Sequence, residues 1–112
     1  MRGIVTIKNN YEFKRIYLKG KVKTSPSLVT YVMKSKKEGT RIGITTSKKI
    51  GCAVKRNRAR RIIREAYRQL KPEIIGGKDI IFVARSLTTR MKSTELLRVM
   101  REQLREAGVI QK

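Results

Sequence analysis

Apolar positions along this chain recur with two periods, and the switches between them mark out the elements. Phe13, Ile16 and Tyr17 fall at i, i+3 and i+4, the spacing of one face of a helix. Asn9 stands where a cap belongs, Glu12 is in capping-box position three residues later, and Gly20 suits the residue just past the end. After a break at Ser25-Pro26-Ser27, residues 28–33 are rich in β-formers and read as a strand. Residues 34–40 are polar and form a hairpin loop. Residues 41–47 then alternate, with Ile42, Ile44 and Thr46 on one side and Gly43, Thr45 and Ser47 on the other.

Residues 48–54 read as a loop in which Gly51 is a turn residue of positive φ. A long helix follows over about 55–70 and stops before Pro72. Gly76-Gly77 turns the chain into residues 79–84, a nearly all-apolar run that predicts a strand buried on both faces. Residues 86–92 form a linker. Ser93 caps a last helix with Leu96 or Leu97, Met100, Leu104 and Ala107 on one face and Gly108 at its end. The order helix, strands, helix, strand, helix predicts an α+β fold, an α/β sandwich on a small mixed sheet of about four strands. With 112 residues there is room for one domain and one core.

Charge changes the picture. The chain has 29 Lys and Arg against 8 Asp and Glu, a formal net charge of +21. Such a surplus repels itself in the compact state, so a polyanionic partner is expected, nucleic acid first. No apolar run approaches the roughly 20 residues that cross a bilayer, and residues 1–10 lack the apolar stretch of a signal peptide. A single cysteine, Cys52, forms no internal disulfide and fits a reducing cytoplasm. There is no His, and the acids are scattered. His-based catalysis and a convergent two-metal site on the protein are therefore excluded, and neither a catalytic residue nor a metal ligand is expected here. No small-molecule substrate or membrane partner is expected either.

The bases concentrate in the long helix. At about 100° per residue, Arg56, Asn57, Arg60, Arg61, Arg64, Arg68 and Lys71 fall within an arc of roughly 140°. Ala59, Ile62, Ile63, Ala66 and Leu70 lie opposite, and Glu65 sits off the ridge. Like charges at i, i+4 repel by a few tenths of a kcal/mol per pair, so such a ridge suits an external anion better than bulk water. The planar fork of Arg matches phosphate bidentately. Asn57 suits a base edge, a sugar or a phosphate, or equally its own backbone. Composition alone fits a clamp on folded ribosomal RNA as well as any other RNA partner. A DNA-compacting role is disfavoured by the lack of a dimer motif, helix-turn-helix spacing or minor-groove wedge.

Arg56-Asn57-Arg58 followed by Arg60-Arg61 and Arg64, and preceded by Lys48-Lys49-Ile50-Gly51 and Ala53-Val54, resembles the signature helix of the bacterial ribonuclease P protein family. The resemblance extends to Phe13 and Tyr17, to Arg41-Ile42-Gly43, and to Ile80-Ile81-Phe82-Val83-Ala84-Arg85. Cys52 stands where many members carry a polar residue, commonly Asn, and Arg60 where many have Lys; neither departure removes the cationic character.

The resemblance implies a three-layer sandwich similar to the second domain of a small-subunit ribosomal protein. A left-handed βαβ crossover would run from 41–47 through the long helix to 79–84, against the usual hand. It further implies a catalytic RNA partner that carries Mg²⁺ and removes the 5′ leader of precursor tRNA. The implied RNA-binding residues are Lys48, Lys49, Arg56, Asn57, Arg58, Arg60, Arg61, Arg64 and Arg68. The implied leader cleft is lined by Phe13, Tyr17, Val29, Tyr31 and Thr45. Strand alternation agrees in part, since Val29 and Tyr31 share a face, as do Gly43 and Thr45. Rings beside small residues suit a stacked single strand, although pattern alone favours core packing for Phe13. The implied mechanism is positioning and charge neutralisation, with a metal-activated water on the RNA as nucleophile.

Overall fold

A computed structural model describes residues 5–7, 9–35 and 39–110. Its mixed sheet is built from β1 (Val5–Thr6), β2 (Lys21–Thr24), β3 (Leu28–Lys34), β4 (Arg41–Thr45) and β5 (Lys78–Ala84), in the order β1-β4-β5-β3-β2. β1 has only two residues, so four strands carry the sheet. β4 pairs in parallel with β1 and β5, while β3 runs antiparallel to β2 and β5. Parallel neighbours need a crossover of a dozen residues or more. Helix α2 (Ala53–Leu70) supplies it between β4 and β5.

Two-residue alternation divides the sheet into unequal faces. Leu28, Val32, Ile42, Ile80, Phe82 and Ala84 pack with Ala59, Ile63, Ala66, Tyr67 and Leu70 of α2 and Leu96, Met100 and Leu104 of α3 (Ser93–Glu106). Each large side chain buried there contributes roughly 1.5–3 kcal/mol, so this face bears most of the stability. On the other face Ile81 clusters with Ile7, just past β1, and with Ile16 of α1 (Asn10–Lys19), with Phe13, Tyr31, Met33 and Val83 half-buried around them. The molecule is thus three layers: α1, the sheet, then α2 with α3. α3 is keyed to β3 by buried Gln103, which accepts from Thr30 Oγ1 at 2.5 Å and donates Nε2 to the Leu28 carbonyl at 2.9 Å.

Several local expectations shift. α2 begins two residues earlier, at Ala53, because Cys52 rather than Val54 is the last extended residue. A 3₁₀ turn, Lys48–Ile50, replaces part of the expected loop, and β4 ends at Thr45 instead of 47. The linker over 86–92 is largely a second 3₁₀ turn, Ser86–Arg90. Ser93 is the first residue of α3 and not its cap; the Glu95 carboxylate instead accepts from the Lys92 N–H at 2.9 Å. Gly20 has φ −76, so no left-handed cap is formed. A glycine is needed there for closeness, since a Cβ would lie 2.7 Å from the Ile16 carbonyl oxygen and 2.9 Å from that of Val32. Gly51 has φ +133, as a turn glycine should. The expected hairpin loop includes residues 36–38, which lie outside those described.

Candidate nucleic-acid interface

The partly open face of the sheet forms a trough under α1. Register stacks its floor in rows: Gly43, Ile81 and Tyr31 in one, then Thr45, Val83 and Val29 in the next. α1 brings Phe13 and Tyr17 over these rows, four residues apart and so on one side of the helix. The Tyr17 ring meets Tyr31 edge-on, centroids 4.8 Å apart and planes at 77°, and Phe13 lies 6.3 Å from Tyr17. Tyr17 and Thr45 hydroxyls are 2.9 Å apart, joining helix to sheet across the trough. All five residues of the implied leader cleft, Phe13, Tyr17, Val29, Tyr31 and Thr45, therefore line one surface. None of the five is fully buried. Phe13 combines packing with exposure. Its ring lies over Gly43 so closely that a Cβ there would be 2.7 Å from it.

The cationic helix packs on the opposite face, so its side chains meet the trough only by passing the β4 edge. β1 pairs with β4 no further than Ile42, and Ile7 follows, donating its N–H to the Ile42 carbonyl at 2.8 Å. Beside that end, Arg60 and Arg64 line one pocket of about 200 Å³ together with Thr6, Ile7, Phe13, Ile42, Gly43 and Ile44. Two guanidiniums, a ring and a glycine floor thus share one cavity. Asn57 Oδ1 accepts from Arg60 Nη1 at 3.0 Å, which orients that guanidinium. Arg61 and Arg64 are exposed, as are Lys48 and Lys49 on the turn ahead of the helix.

Three of the implied RNA-binding residues are placed differently from the simple ridge. Arg58 projects to the other flank and donates Nε to the Thr89 carbonyl at 3.0 Å. Arg56 Nη1 turns back to the Gly51 carbonyl at 3.0 Å, closing the loop onto the helix. Glu65, expected to stand off the ridge, reaches Arg68 Nη1 at 3.3 Å. One turn of helix separates them, and an exposed pair at that spacing forms at little cost. Cys52 is exposed at the start of α2, where the Lys55 and Val54 backbone N–H groups hold its thiol below the ordinary value.

Sequence reasoning missed the middle of the floor. Ile81 and Val83 sit between β3 and β4 in the register, and alternation within β5 was the signal that assigns them to this face. It also missed Tyr67, buried at 1 % exposure against Phe82 with centroids 5.8 Å apart. Among the described residues no group of His, Cys, Asp and Glu side chains is arranged to hold a metal ion, and no helix is long and apolar enough to cross a membrane.

Comparison with known proteins adds a family. The family model described as Ribonuclease P matches residues 1–108. A protein of Thermoanaerobacter sp. (strain X514) named ribonuclease P protein component is 49 % identical over 84 residues, covering 75 % of this chain and 72 % of that protein. The protein of that name from Clostridioides difficile (strain 630) is 44 % identical over 80 residues, 70 % of each. Among solved structures, the RNase P protein of Staphylococcus aureus is similar with a TM-score of 0.84 and 36 % identity, over 96 % of this chain and 99 % of that one. That of Thermotoga maritima is similar with a TM-score of 0.78 and 26 % identity, over 89 % of this chain and 96 % of that one.

Proposed function

Since this chain belongs to the bacterial ribonuclease P protein family, we propose that it holds the 5′ leader of precursor tRNA in the trough while its α2 ridge engages the catalytic RNA. The observation that carries this reading is the shared pocket: Phe13 and Gly43 from the trough and Arg60 and Arg64 from the ridge line one cavity. A single strand laid there meets rings for its bases and guanidiniums for its phosphates in one passage. Stacking on aromatic rings is worth about 1–3 kcal/mol per base and is tolerant of sequence, which suits leaders of varied composition. Base pairs present no such faces, so the trough discriminates an unpaired leader from the folded tRNA body.

The remaining bases act by proximity. Lys48, Lys49 and Arg61 are exposed and neutralise phosphate of the catalytic RNA, releasing its counterions. Arg56 and Arg58 secure the loop before α2 and the turn beside it through the Gly51 and Thr89 carbonyls, so their role is to shape the RNA-facing surface as well as to charge it. In this reading the protein contributes no nucleophile, and Mg²⁺ held by the RNA would supply the activated water. Lowering phosphate repulsion where leader meets tRNA body favours that metal binding.

The test is reconstitution. The protein is mixed with a bacterial ribonuclease P RNA and a 5′-extended precursor tRNA at low Mg²⁺. The expected product is a single cut at the mature 5′ end that depends on the protein. Absence of stimulation across a broad Mg²⁺ range would contradict the proposal.

A further inference from the structure

The trough is only as well shaped as the placement of α1, and the two halves of that helix are held by different means. The C-terminal half is fixed by buried Ile16 and by the close approach at Gly20. The N-terminal half has no fully buried apolar side chain: Tyr11 is 67 % exposed, and Phe13 is only half-buried over Gly43. A charged cluster stands in its place. Arg41 on β4 donates Nε and Nη2 to the two carboxylate oxygens of Asp79 on β5, at 3.0 and 2.9 Å, and Nη2 also donates to Glu12 Oε2 at 2.5 Å. Asn9 Nδ2 donates to the other Glu12 oxygen at 3.1 Å.

The three members are not equivalent. Arg41 and Asp79 are register partners on neighbouring strands and satisfy one another within the sheet. Asp79 is fully buried. Glu12 is the member that joins α1 to this pair, directly beside the row of Gly43, Ile81 and Tyr31. Arg41 is held charged beyond its ordinary range, by Asp79 first and then by Glu12. The chain has only 8 acids against 29 bases, and two of them are placed here at 8 % exposure or less, where they do little to offset surface charge. Their position, next to Phe13 and at the end of the trough, is what they provide.

We propose that Glu12 is a positioning residue for the leader: its ion pair with Arg41 fixes the first turn of α1, and with it the Phe13 ring over Gly43. This rests on the reading of the trough as the leader site. Glu12→Gln removes the negative charge that α1 brings to the cluster while leaving the Arg41–Asp79 pair and the larger core in place, and circular dichroism of the variant checks that the fold is retained. Glu12→Asp keeps the charge but draws it back by one methylene, which safeguards folding further.

The experiment uses the holoenzyme reconstituted with ribonuclease P RNA, and measures affinity for precursor tRNA and for mature tRNA. Loss of one well-placed stacking contact corresponds to about tenfold, so Glu12→Gln is expected to weaken precursor binding about tenfold with mature tRNA binding unchanged. Glu12→Asp is expected to give a smaller loss of the same selective kind. A purely structural role would weaken both substrates alike, through reduced assembly with the RNA. Equal losses, or an unchanged preference in both variants, would overturn the proposal. The unaltered protein is the internal reference: if it shows no preference for precursor, the leader-trough reading fails and this role with it. An intact preference that ignores Glu12 sinks the positioning role alone.

Discussion

At the scale of single residues, chemistry that looks alike in the chain is divided by geometry. Arg60 and Arg64 face the shared pocket, whereas Arg58, two residues before Arg60, is turned to a backbone carbonyl on the far flank. Helical periodicity accounts for that divergence, since a step of two residues rotates a side chain by about 200°. What periodicity did not convey is that Arg56 and Arg68 have local partners, Gly51 and Glu65. Such pairings depend on rotamers chosen in the folded chain. Tyr17 offers a clean separation of roles. Its ring belongs to the trough and its hydroxyl bridges to Thr45. Tyr17→Phe is expected to leave leader affinity within about twofold, since a half-exposed hydrogen bond nets little. Tyr17→Ala is expected to lose about five- to a hundredfold by removing the stacking face. Measured affinities for leader-bearing precursor decide it, and a Phe variant as weak as the Ala variant would assign the effect to the hydroxyl.

At the scale of elements, the segments with strong apolar rhythm were legible, the heavily charged α2 among them, and the exposed sheet edge was not. β3, β4, β5, α2 and α3 follow directly from spacing, because each buries at least one face. β2, Lys-Val-Lys-Thr, is mostly exposed at the sheet edge. Its strand geometry comes from pairing with β3, a contact that local sequence does not encode. Tyr67 carries a polar phenol tip, yet α2 buries it against Phe82. That burial has a pH signature. Desolvation raises the Tyr67 phenol to about 12, while in the unfolded chain it ionises near 10. Between those values the unfolded state gives up a proton that the folded state keeps, so stability is fully present below about pH 10 and falls toward pH 12. Chemical denaturation across this window is expected to show a steeper loss for the unaltered protein than for Tyr67→Phe. Parallel pH dependence of the two would contradict the assignment.

At the scale of the whole molecule, the surplus of +21 has a layout. The large core under α2 and α3 gives a rigid platform, and the smaller cluster under α1 leaves a surface open to a ligand. The family resemblance made the trough residues nameable in advance, and alternation agreed with part of it. The route between trough and ridge was not legible, because it depends on where the β1–β4 pairing ends, at Thr6 and Ile42, and on Arg60 and Arg64 reaching the pocket beside that end. That route makes a prediction about salt. If Arg60 and Arg64 contact leader phosphates, removing both is expected to reduce the slope of log K against log salt by about 1.4 for a single strand. Arg60→Ala with Arg64→Ala should also weaken precursor more than mature tRNA. An unchanged slope would place those guanidiniums away from phosphate.

The most direct test of the central claim is where an unpaired leader lies in the assembled particle. A precursor tRNA carrying photoreactive thiouridines in its leader, bound to the holoenzyme and irradiated, is expected to crosslink to peptides containing Phe13 and Tyr17, Val29 and Tyr31, or Gly43 and Thr45. Crosslinks confined to the RNA subunit, or to the outer face of α3 around Arg98 and Glu102, would contradict it.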